Sequence, residues 1–242
     1  MYLQEMTAFL KQKSYPKFEL KAVFFDMDGV LYDSMPAHAE AWVKALESFG
    51  MPFTAYEAYM NEGRTGNGTI DGVFQAQLGR VATEEEKQSI YNAKSQLFER
   101  TEVVRIMPYA LELLKKIKSK DIHILLVTGS GQPSLLDKLE VSFPKIFERE
   151  RMVTAFDVEL GKPHPEPYLM ALQKANVNPW EAVVVENAPL GIASAVAAGI
   201  YTLAVNTGIL EDDVLLSEGA NAIFSGMEEL YQQWDHLFSN TH

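Results

Sequence analysis

What most constrains this chain is residues 21–33, KAVFFDMDGVLYD. An unbroken apolar run, Ala22-Val23-Phe24-Phe25, stops at Asp26, and Asp28 and Gly29 follow. A short continuous apolar run bounded by turn residues is the pattern of a strand buried on both faces, as in a parallel sheet. Such a strand delivers two carboxylates to the end of a sheet. In an extended chain side chains two apart share a face, so Asp26 and Asp28 are expected to face one ligand.

The same texture returns later. Residues 122–127 (IHILLV), 151–154, 182–185, 201–205 and 222–224 read as strands. Segments 108–120, 133–141, 165–175, 189–198 and 227–238 between and after them read as helices. Strands alternating with helices predict an α/β fold with a doubly wound (Rossmann-like) parallel sheet. Residues 36–105 are different. There, 37–49, 54–60, 69–78 and 83–100 read as helices, Thr54 and Thr83 open capping boxes, and the glycine-rich NEGRTGNG of 61–68 reads as a loop. The expected organisation is therefore a core of 21–35 and 106–242 with an inserted all-helical cap at 36–105. Residues 1–20 form an N-terminal amphipathic helical extension, with Tyr2, Leu3, Met6, Phe9 and Leu10 at helical spacing.

Composition removes several function classes. There is no cysteine, which excludes disulfides, thiol catalysis and cysteine zinc sites. The net charge is −12 with no Lys/Arg-rich run, so no nucleic-acid partner is expected. No apolar run is long enough to span a membrane, and the N-terminus lacks the layout of a signal peptide, so no membrane association and a cytoplasmic location are expected. An anionic substrate then has to be drawn by local cations or by a metal.

In a doubly wound sheet ligands bind beyond the carboxyl ends of the strands. Asp26, Asp28, Thr128, Ser130, Glu186 and Asn187 lie at those ends. Each is ambiguous alone. Asp26 and Asp28 can serve as nucleophile and acid/base, or form a solvated turn. Thr128-Gly129-Ser130 can cradle a phosphate, or simply turn the chain. Lys162, in the stiff segment GKPHPEP, can be held in place or be solvated. Glu186 and Asn187 offer oxygens suited to Mg²⁺, or cap the next helix.

The order D-x-D-G, then T, then K-P, then E-N before a G-I-x-x-A-x-x-A-G helix is far more specific. In it the chain resembles the haloacid dehalogenase superfamily of phosphotransferases and phosphohydrolases, from about residue 21 onward, and within it the β-phosphoglucomutase-like subgroup. The resemblance implies that Asp26 is the nucleophile that becomes an aspartyl phosphate. It implies that Asp28 is the acid/base and also a metal ligand through its carbonyl. Thr128, with Gly129 and Ser130, is implied to bind the phosphoryl group, and Lys162 to bridge it to the nucleophile. Asp26, Asp28, Glu186 and Asn187 are implied to hold Mg²⁺.

Some positions depart from that pattern. Asn187 stands where the superfamily usually has Asp. Two unit charges ~4 Å apart interact by about 4 kcal/mol at an effective dielectric of 20, so the metal loses a real attraction. Gly66 and Gly131 stand where sugar-phosphate mutases carry an arginine and a lysine. Glu62 stands close to a position that is basic there. His38 and Lys94 match cap residues of the mutases, and Arg64 is a further cation for phosphate. This combination resembles the inorganic pyrophosphatase branch. It implies that Glu62 restores the missing charge and joins the Mg²⁺ shell. The expected function is Mg²⁺-dependent pyrophosphate hydrolysis on a small phosphorylated substrate, by a monomer or weak homo-oligomer. A β-phosphoglucomutase or sugar-phosphate phosphatase is the alternative, and a catalytically silent metal- or partner-binding protein the rival of another class.

Overall fold

The structure, a computed structural model, describes the backbone of residues 2–100, 104–130 and 133–238, and the same side chains except those of 2, 3 and 133–137. Gly131 and the side chains of Tyr2 and Leu3 lie outside the described residues. Helix α1 (Tyr2–Lys13) buries Met6 and Phe9, and the Phe9 ring meets Tyr201 edge-on at 5.2 Å. The N-terminal helix thus packs on its own chain. Burying one such aromatic side chain stabilises by about 1.5–3 kcal/mol.

Strand β1 (Ala22–Phe25) is buried throughout and ends at Phe25. Asp26 and Asp28 therefore stand in the loop beyond it, and strand alternation is not what aligns them. The chain then forms β2 (Tyr32–Asp33) and enters the helices α2 (Met35–Ser48), α3 (Ala55–Met60), α4 (Gly66–Leu78) and α5 (Glu84–Glu99). It returns through β3 (Arg105–Ile106), which pairs antiparallel with β2. This ribbon is too short to leave a pattern in the sequence. Thr54 and Thr83 both form their capping boxes. The loop expected over 61–68 is shorter: α4 begins at Gly66, because the Thr65 hydroxyl accepts the Gly68 N–H at 3.2 Å.

The remaining elements are α6 (Ala110–Lys118), β4 (His123–Val127), α7 (Pro133–Ser142), β5 (Met152–Val153), α8 (Glu166–Ala175) and β6 (Ala182–Glu186). After them come α9 (Pro189–Ala197), β7 (Tyr201–Val205), α10 (Asp212–Ser217), β8 (Ala222–Phe224) and α11 (Met227–Leu237). The strands form a six-stranded sheet in the order β5-β4-β1-β6-β7-β8, every pair parallel. The fold is thus α/β and doubly wound, with a helical cap inserted after its first strand. From β1 the chain steps to β4 on one side and later to β6 on the other, which makes β1 the switch point where ligands bind.

Cap and core are not packed separately. Ala58, Tyr59, Ile70 and Phe74 of the cap share one apolar cluster with Ile192, Leu210 and Leu215 of the core. Among the described residues, no helix is long and apolar enough to cross a membrane.

Candidate active site

Sheet register builds the site. Phe25 is level with Leu126 of β4 and with Val185 of β6. The next row places Asp26 between Val127 and Glu186. Lys162 closes this row from the loop before α8. Its Nζ donates to Asp26 Oδ1 at 2.6 Å, to Glu186 Oε1 at 2.6 Å and to the Val127 carbonyl at 3.0 Å. An ammonium has three protons, so each has a partner on a different strand end. Burial works against the charge on Lys162, but Asp26 and Glu186 outweigh it and hold its pKa above the ordinary value. Burial also pushes Asp26 up to about 8; Lys162 opposes the shift, while Glu186 and Asp28 add to it.

Glu186 is fully engaged. Its Oε1 also accepts the Tyr168 hydroxyl at 2.8 Å, and Oε2 accepts the backbone N–H groups of Asn187 at 3.0 Å and Ala188 at 3.2 Å. A carboxylate has about four lone-pair sites, and all are taken. As placed, Glu186 holds Lys162 and the loop after β6, and turns no free oxygen toward an ion.

Asp28 is held by a second set. Its Oδ1 accepts the Ser34 hydroxyl at 2.6 Å and lies 3.2 Å from His38 Nε2. Lys94 Nζ lies 2.8 Å from His38 Nδ1. An ammonium only donates, so Nδ1 accepts and the ring proton sits on Nε2, facing the carboxylate. Burial acts to raise the Asp28 pKa, but His38, Ser34 and Lys94 outweigh it and the carboxyl titrates below its ordinary value. Burial also pulls Lys94 down to about 8.

The cap is closed over these groups. Glu62, in the turn between α3 and α4, accepts a hydrogen bond from Asn187 Nδ2 at 2.9 Å. Beside it the cap touches the core backbone to backbone: a Cβ added at Gly129 would lie 2.3 Å from the Gly63 carbonyl oxygen. Beneath is a cavity of about 70 Å³ lined by Asp26, Asp28, His38, Glu62, Arg64, Lys94, Thr128, Gly129 and Ser130. At ~15 Å³ each it has room for about five waters. Thr128 Oγ1 accepts the Ser130 N–H at 3.0 Å. Arg64 Nε is buried with no hydrogen-bond partner. Thus the expected site residues converge, with Lys162, Glu186 and Asn187 forming the floor behind the cavity.

The charge balance fits a divalent cation. Asn187 Oδ1 is buried and unpartnered. Burial raises the Glu62 pKa well above its ordinary value, and repulsion from Asp26, Glu186 and Asp28 adds to it. A cation among these groups meets both needs. Among the described residues no three acidic, histidine or cysteine side chains already form a finished metal cage. The oxygens on offer are instead mixed: the carboxylates of Asp26 and Glu62 and the Asn187 amide. Mg²⁺ is held by one or two carboxylates, with waters and substrate oxygens completing its shell.

Two contributors were not legible in the sequence. Ser34 precedes a proline-containing helix, the pattern of an N-cap, but its side chain makes no cap bond and serves Asp28 instead. Tyr168 lies on the buried face of α8 with nothing local to mark it as the partner of Glu186.

Known proteins resemble this chain in sequence and fold. A haloacid dehalogenase-like hydrolase family model matches residues 20–199. A phosphorylated carbohydrates phosphatase of Thermotoga maritima is 32% identical over 213 residues, covering 87% of this chain and 97% of that protein. A pyrophosphatase of Oceanobacillus iheyensis is 22% identical over 212 residues, covering 87% of this chain and 95% of that protein. A solved structure from Bacteroides vulgatus, provisionally described as a β-phosphoglucomutase, is 52% identical and superposes with a TM-score of 0.95, covering 98% of this chain and 97% of that one. With Asp26, Lys162 and Asp28 gathered at the switch point of such a sheet, the chain belongs to the haloacid dehalogenase-like hydrolases.

Proposed function

We propose that this hydrolase cleaves inorganic pyrophosphate, with Mg²⁺, through an aspartyl phosphate at Asp26. One observation carries the substrate: Glu62 of the cap meets Asn187 at 2.9 Å. A carboxylate from the cap thereby stands where the core offers only an amide. The small cavity under the cap supports the same reading, since a cap in contact with the core over the site suits a compact, highly charged substrate. Asp26, the Asp28 carbonyl, Glu62 and Asn187 would hold the Mg²⁺, which when bound neutralises phosphoryl oxygens.

The chain's own groups do the rest. Asp26 attacks phosphorus while Lys162 holds its carboxylate in place, and Thr128 with Ser130 binds the phosphoryl oxygens. Asp28, fixed through Oδ1 by Ser34 and His38, passes a proton from its other oxygen to the leaving phosphate; ionised again, as its lowered pKa favours, it takes a proton from the water that adds to phosphorus and breaks the Asp26 O–P bond. Arg64 supplies positive charge to the leaving group. Phosphoryl transfer depends mostly on such positioning and charge neutralisation. The same reading takes 36–105 as the cap, and 21–35 with 106–242 as the core, of a cytoplasmic protein that acts as a monomer or weak homo-oligomer.

The names of the Thermotoga and Bacteroides relatives favour a second reading, a sugar-phosphate phosphatase or β-phosphoglucomutase. Phosphate release measured with Mg²⁺ on pyrophosphate and on a panel of hexose phosphates separates the two. Pyrophosphate is expected to be the best substrate by kcat/KM. Faster turnover or isomerisation of a hexose phosphate would establish the second reading instead.

Closure itself is testable. Gly129→Ala places a methyl group against the Gly63 carbonyl only when the cap is shut. Because the cap shares its apolar packing with the core, the clash is expected to cost about 1–3 kcal/mol of thermal stability without unfolding the protein. Pyrophosphate turnover should fall about 100-fold, the scale of a small misplacement at a reacting centre. Undiminished turnover would mean that the closed cap is not the reactive state.

A further inference from the structure

Tyr91 has no part in the chemistry above, yet it lines the cavity. It sits on α5 one turn before Lys94, and residues three apart on a helix share a face. Lys94 uses that face to reach His38, so Tyr91 looks onto the same space. Opposite it is Gly66, at the start of α4. A Cβ built on Gly66 would lie 2.3 and 2.4 Å from the Cε2 and Cδ2 atoms of the Tyr91 ring. No side chain at position 66 is compatible with the ring where it stands. Trp42, which lines the cavity as well, stands beside the ring with centroids 6.4 Å apart. Tyr91 therefore fills, from one helix, the volume that a side chain from the next helix would otherwise enter. The result is a flat, rigid wall with no charge, facing the catalytic carboxylates.

We infer that Tyr91, seated on Gly66, is the specificity-determining wall that limits the leaving group to the size of a phosphate ion. The inference rests on the pyrophosphatase reading and names the residue that enforces it. A hexose ring attached to the scissile phosphate has to extend past the space for one small anion, and the wall stands across that path. Removing the ring widens the cavity toward the first turn of α4.

The test is steady-state phosphate release by native protein, Tyr91→Phe and Tyr91→Ala, on pyrophosphate and on a hexose phosphate, with Mg²⁺. The readout is the ratio of kcat/KM values for the two substrates. Tyr91→Ala is expected to shift this ratio toward the hexose phosphate by about tenfold or more, the scale at which pocket shape discriminates. Tyr91→Phe keeps the ring and is expected to keep the native ratio. Should Tyr91→Ala fail to fold, Tyr91→Leu opens part of the same space and reads the same ratio. An unchanged ratio, with both activities reduced in parallel, would reduce Tyr91 to packing and overturn the inference alone. Native protein that prefers the hexose phosphate would instead overturn the pyrophosphatase reading, and this inference with it.

Discussion

Asp26→Asn is expected to fold like the native protein and to lose Mg²⁺-dependent phosphate release by a factor of about 10⁴ or more. The amide has the shape of the carboxylate but cannot attack phosphorus or carry an acyl phosphate. The environment makes the loss of charge tolerable to the fold. Asp26 is buried, and burial with the nearby Glu186 and Asp28 carboxylates raises its pKa to about 8 against the pull of Lys162. An amide there relieves like-charge repulsion. Lys162 keeps Glu186 Oε1 and the Val127 carbonyl as partners, so no ammonium is stranded. A thermal melt should therefore stay at or above the native midpoint while turnover vanishes. Retained turnover by a folded Asp26→Asn protein would rule out the covalent route.

Glu62→Ala carries the second large effect. Three things disappear with this one side chain: a candidate metal ligand, the hydrogen bond to Asn187, and a contact that keeps the cap shut. Pyrophosphate turnover is expected to fall by about 100-fold or more, as it does when reacting groups lose their alignment. The Mg²⁺ concentration giving half-maximal rate should rise by roughly 10–100-fold, the range found when groups supporting a metal are removed. Glu62→Gln separates the contributions, because it keeps a partner for Asn187 but not the charge. If Glu62→Ala leaves both the rate and the Mg²⁺ dependence unchanged, the cap carboxylate is a bystander and the case for pyrophosphate loses its main support.

These predictions differ in where they came from. Asp26 and the surrounding strand ends were legible in the sequence, because an apolar run that stops at an acid is a local pattern. The doubly wound sheet and the helical insertion were legible too, since strand and helix periods are written in short windows of residues. Long-range contacts leave no such trace. Ser34 carried no mark of its role, and only the fold turned it to Asp28. Glu186 looked like a metal ligand, yet the meeting of β6 with α8 commits its oxygens to Lys162, Tyr168 and backbone N–H groups. NEGRTGNG looked like a loop throughout, until one hydroxyl at Thr65 started α4 at Gly66.

The sequence by itself determined the fold class and the row of chemistry at the end of β1. Both follow from side-chain polarity repeating over a few neighbouring residues. Only the tertiary structure decided which groups share a proton, an ammonium or a contact. Glu62 and Asn187 are far apart in the chain, and so are Gly63 and Gly129, and Gly66 and Tyr91. The first two pairs meet because the cap folds back over the sheet, the third because α4 packs on α5 within the cap, and the size and charge of the cavity are properties of those meetings.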